Sequence, residues 1–98
     1  MLGNSPATST LDELRNFINQ TICQHNQLES GAFPLTEQIL VRGNRPCGML
    51  FNLQGPRAAT FSAIWDSDQN TVLFYDSSGE RFRKVQLVDA PRLEDATT

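Results

Sequence analysis

One histidine, His25, and two cysteines, Cys23 and Cys47, are the residues of this 98-residue chain whose types best suit nucleophilic or metal chemistry. Their spacing argues against it. Cys23 and His25 are two positions apart, which on a helix turns their side chains about 200° away from each other. A thiol and its base must sit within hydrogen-bond reach, so they form no dyad there. Cys47 completes no C-x-x-C pair, and nothing in the sequence places it beside His25. Packing thiols and a histidine at a helix edge account for all three. Two cysteines in a chain this short make no disulfide framework, so reduced thiols and a cytoplasmic location are the expectation.

Asp66-x-Asp68-x-Asn70 begins like a calcium loop. Such a loop needs Gly at its sixth position for the sharp turn and Glu at its twelfth as a bidentate ligand. Those positions are Thr71 and Ser77, so the segment is read as a hairpin turn. Trp65-Asp66 is the dipeptide of propeller blades, but it occurs once, and a propeller repeats a unit of about forty residues at least four times. No phosphate-cradling glycine loop, nucleophile elbow or zinc spacing is present. The residues therefore call for no catalytic group, metal or cofactor.

Net charge is −3, from 8 basic and 11 acidic residues. A nucleic-acid binder usually shows a basic excess. In a meander, Arg42 and Arg45 fall at the same end as Asp66 and Asp68, and Arg57 at the end of Asp76 and Glu80. Each cation then has acidic company, which favours neutralised rim charges over a phosphate track. A single-stranded RNA platform, with bases stacked on Phe74 and Phe82 beside Arg81, Arg83 and Lys84, is the weaker reading.

The elements that position these residues follow from periodicity. Thr10-x-x-Glu13 is a capping box, and Leu11, Leu14, Phe17, Ile18, Ile22 and Leu28 recur at three-and-four spacing. The spacing predicts a helix over residues 11–29, stopped by Gly31 and Pro34. The pattern then changes to period two. Strands are expected at Thr36–Arg42, Cys47–Gln54, Ala59–Asp66, Thr71–Asp76 and Arg81–Leu87, separated by short turn clusters. Short connections imply sequential antiparallel neighbours. The fold class is thus α+β, one N-terminal helix packed on a five-stranded antiparallel β-meander. Residues 1–9 are assigned to a flexible arm, 10–89 to the single domain and 90–98 to a flexible tail. The N-terminus lacks the charged and apolar regions of a signal peptide, and no apolar run reaches the length of a membrane span.

Turn lengths suggest registers. A three-residue Gly55-Pro56-Arg57 loop pairs Phe51 with Phe61 and Met49 with Ala63. Asn70 in a left-handed conformation pairs Trp65 with Leu73 and Ile64 with Phe74. Gly79 in the same role pairs Phe74 with Phe82 and Tyr75 with Arg81. The helix is assigned to the face carrying Phe51, Phe61 and Trp65. The opposite face then carries Leu50, Ile64, Val72, Phe74 and Phe82, an apolar set that solvent does not require. These five are the candidate interface. The expected function is a non-catalytic binding or assembly module, with a protein partner and most simply a homodimer. A small-ligand or effector-binding domain, holding its ligand between helix and sheet, is the alternative.

Overall fold

The computed structural model describes residues 8–92. Helix α1 spans Leu11–Asn26, and five strands follow: β1 (Leu35–Arg42), β2 (Arg45–Gln54), β3 (Thr60–Asp66), β4 (Thr71–Tyr75) and β5 (Arg81–Gln86). They form one antiparallel sheet in the order β1-β2-β3-β4-β5. This is the expected helix-plus-meander α+β fold. Among the described residues, no helix is long and apolar enough to cross a membrane.

The capping box forms as expected. The Glu13 amide donates to Thr10 Oγ1 and the Thr10 amide to Glu13 Oε1, each at 3.1 Å. Two helix-end amides thereby gain partners that the helix itself lacks. At the other end α1 stops three residues short of the expected boundary. Gln27 turns left-handed (φ 58°), and the Leu28 amide donates to the Cys23 carbonyl at 2.8 Å. That bond is the Schellman closure, which is often accompanied by an apolar contact from the residue just past the left-handed one. Leu28 packs against the core in that role. It kept the helical spacing without being helical.

Residues of α1 and one sheet face share a single core. Leu14, Ile18, Ile22 and Cys23 from the helix join Met49, Phe51, Leu53, Phe61, Ala63, Trp65, Val72 and Phe74 from the sheet. Trp65, with Phe51 and Phe61 near it in that core, is buried on the helix side, the face expected for all three. Gly48 shows how closely β2 and β3 approach: a Cβ there would stand 2.1 Å from the Trp65 carbonyl oxygen.

Three registers depart from expectation, with different consequences. Between β2 and β3, Met49 pairs with Trp65, Phe51 with Ala63 and Leu53 with Phe61. The loop is five residues long, closed by the Gly55 amide on the Ala59 carbonyl at 2.8 Å, with Arg57 and Ala58 both left-handed. A two-residue slip leaves every side chain on its face. Between β3 and β4, Trp65 pairs with Val72, Ile64 with Leu73 and Ala63 with Phe74. Asp66 stays in the ladder opposite Thr71 while its carboxylate accepts from the Asp68 and Gln69 amides at 2.9 and 3.4 Å. The loop therefore holds four residues, and Asn70 is left-handed as expected. A one-residue slip turns all of β4 over. Between β4 and β5, Tyr75 pairs with Arg81, but an irregularity between Phe74 and Tyr75 then sets Phe74 opposite Arg83. Phe82 is the extra residue of this bulge.

The described ends of the terminal segments are packed. Thr8 is buried and its hydroxyl donates to the Asp89 carbonyl, and Pro91 is also buried. The rest of the expected arm and tail, residues 1–7 and 93–98, lies outside the described residues.

Candidate functional site

The five candidate interface residues divide between the two faces. Leu50 and Ile64 lie on the face away from the helix, as expected. Val72 and Phe74 do not: both are fully buried in the core, and Phe74 meets Phe17 of α1 edge-on at 6.0 Å. The one-residue slip at the third turn is the reason. Phe82 is also on the helix side, because the bulge turns it there, and its ring stacks on His25. In their place the slip turns Leu73, expected beside Trp65 on the helix face, and Tyr75 to the open face, where both are half-buried.

The open face is read directly from the ladder. One row runs Gln38, Leu50, Ile64, Leu73, Lys84 across all five strands. Leu50, Ile64 and Leu73 are its centre, each half-buried. By strand alternation Leu40 and Tyr75 flank that centre on the same face. The neighbouring polar group bonds within itself: Ser62 Oγ donates to Asn52 Oδ1 at 2.7 Å and Thr60 Oγ1 to Gln54 Oε1 at 3.2 Å. The face is thus an apolar strip with a hydrogen-bonded polar strip on one side and, on the other, the row that holds Gly48, Asp66 and Thr71, where the Asp66 carboxylate accepts from the turn amides of Asp68 and Gln69.

The residues suited to chemistry are dispersed. Cys23 is buried, its Sγ donates to Asn19 Oδ1 at 3.2 Å, and burial pushes its thiol up, away from the nucleophilic thiolate. Cys47 is a free, half-buried thiol on β2. His25 is exposed on the last turn of α1, lying flat on Phe82 with centroids 3.8 Å apart. Among the described residues no group of three or more His, Cys, Asp or Glu could hold a metal ion. Asp68, the middle residue of the calcium-like stretch, pairs with Arg45 at 3.3 Å. That pair joins the first and third turns at one end of the sheet, as the meander requires.

Other carboxylates are similarly engaged in structure. Asp76 is held below the usual carboxylate range, chiefly by the Ser78 hydroxyl and also by the Glu80 and Ser78 amides and the charge of His25. Glu13 is lowered by the Ser9 hydroxyl and the Thr10 amide. Arg15 bridges Asp12 at 2.7 Å and Glu37, tying α1 to β1. Sequence reasoning missed this last link, although its signal was present. Glu37 pairs with Phe51 and so lies on the helix face, where a charge needs a partner.

Searches of protein-family models, curated proteins and solved structures each return no match for this chain.

Proposed function

We propose that the protein is a non-catalytic assembly module that pairs with a second copy of itself through the open sheet face. The observation that carries this reading is the half-buried Leu50–Ile64–Leu73 row, over which no described segment packs. The only α-helix among the described residues is committed to the other face. Five strands about 4.8 Å apart and about seven residues long span roughly 550 Å² in projection. Side-chain relief adds to that, and a standard interface takes about 800 Å² from each partner. The sheet alone supplies most of a small dimer's contact. An apolar centre free of charge, bordered by neutral polar groups, by Lys84 at one edge and by the turn-bonded Asp66 at one end, suits a symmetric contact better than a charged ligand.

The competing readings have less support. A ligand between helix and sheet would have to displace Leu14, Ile18, Phe51 and Trp65, all essentially inaccessible. An RNA platform loses its stacking surfaces, since Phe74 is buried and one face of Phe82 is taken by His25. Two free cysteines support a reducing, cytoplasmic setting.

Light scattering coupled to size exclusion, from micromolar to millimolar chain, tests the assembly reading. The wild type should run at the mass of two chains, and Ile64→Asp or Leu73→Asp at the mass of one with an unchanged circular dichroism spectrum. A wild type that stays monomeric at millimolar concentration overturns it.

A further inference from the structure

Three cations sit close together on β5. Arg81, Arg83 and Lys84 are exposed, and none has an ion pair among the described residues. β5 is also an edge strand, so one side of its backbone has no ladder partner among the described residues. Charge and hydrogen-bonding capacity thus coincide on one segment of a chain whose net charge is −3.

We infer that the outer edge of β5 accepts an acidic, extended peptide segment of another protein as a sixth strand. Strand addition draws affinity from main-chain hydrogen bonds and specificity from side chains at alternating positions. The inner side of β5 shows what alternation the edge imposes. Leu73, Phe74 and Tyr75, three consecutive residues of β4, stand opposite Lys84, Arg83 and Arg81 because the bulge absorbs Phe82. A strand added outside meets the same alternation: open face, helix face, open face. Three consecutive acidic residues therefore match all three cations, two on one face of the sheet and one on the other.

The same charges select against other occupants. A β5 edge from a second copy would place cations opposite cations, which destabilises a strand pair. A nucleic acid could use the charges but not the free backbone, and the nearby aromatic rings are already buried or stacked. The added strand bonds the backbone edge of β5 and self-pairing uses the Leu50–Ile64–Leu73 row; Lys84 and Arg81 border both, so peptide binding and oligomeric state are read in separate experiments.

The test is fluorescence anisotropy of a labelled Thr-Val-Glu-Glu-Glu-Val-Thr peptide titrated with the full chain. Saturable binding is expected, weakened at least tenfold by Arg83→Glu with Lys84→Glu, and to a smaller extent by the neutral pair Arg83→Gln with Lys84→Gln. Raising the salt should weaken it as well, since exposed charges are screened over about 10 Å at 0.1 M. The same peptide N-methylated at alternate residues keeps its charge but cannot add as a strand, and should bind at least tenfold more weakly. No binding at millimolar protein overturns the inference. So does binding that ignores charge reversal, or an N-methylated peptide that binds equally. An oligouridylate of equal charge that binds as tightly as the peptide would instead make the edge a nucleic-acid contact.

Discussion

The imidazole of His25 and the ring of Phe82 lie parallel within 7°, their centroids 3.8 Å apart. The contact joins the last turn of α1 to the bulge of β5, and it fixes which face Phe82 occupies. A flat ring at this distance shields the protons above it. The His25 ring protons should therefore resonate upfield of their random-coil positions, and Phe82→Leu should return them. Random-coil shifts in the wild type would mean that Phe82 points to the open face, with no bulge in β5.

Trp65 fills the core, and among the described residues its indole N–H has no hydrogen-bond partner. Trp65→Ala should cost roughly 3–5 kcal/mol, the range for deleting a large buried aromatic. Trp65→Phe should cost clearly less, because it loses apolar volume but no hydrogen bond, and it removes a polar group that is costly to bury unpaired. Denaturant midpoints of the two variants check this. A Trp65→Phe loss well above that of its missing apolar volume would show that the N–H has a partner.

Acid should weaken the fold through Glu13 and Asp76. Both carboxylates are held below their ordinary values of 4.5 and 3.8 by hydroxyl and amide donors to the charged form. A group lowered on folding contributes stability above its unfolded value and loses it as pH falls through the folded one. The midpoint should thus fall progressively below about pH 4.5. Asp76→Asn and Glu13→Gln should each be less stable at neutral pH and show a shallower acid slope. Slopes identical to wild type would remove these two groups from the account.

The two thiols should differ in rate. Cys23 is buried, and burial raises its thiol away from the reactive form, whereas Cys47 is half-buried. A thiol reagent at neutral pH should label Cys47 first in the native protein and both after unfolding. Faster labelling of Cys23, or no labelling after unfolding without reductant, contradicts the structure.

Local signals were fully legible. The capping box lies over four residues and needs no distant partner, so Thr10 and Glu13 announce the start of α1. Strand number, order and approximate bounds follow from period-two stretches and short turns, because short connections leave neighbouring strands little choice but to pair. The burial of Trp65, Phe51 and Phe61 was equally legible, since a slip of two residues keeps parity.

What the tertiary structure alone decided is parity past the third turn. Whether Asp66 belongs to strand or loop is a difference of one residue, and local composition allows both, since aspartate caps turns from either position. The choice is made by the core. With Asp66 in the ladder, Val72 and Phe74 enter beside Trp65 and Phe17, and Leu73 and Tyr75 go to the open face. Burying an aromatic ring among partners is worth several kcal/mol, whereas the turn alternatives are separated by far less. The bulge at Phe82 has the same origin: it brings a second aromatic ring under α1 at His25. The existence of an apolar open face was therefore written in the alternation of the strands, but its membership, Leu73 and Tyr75 in place of Val72, Phe74 and Phe82, depended on packing against a helix fifty residues away in sequence.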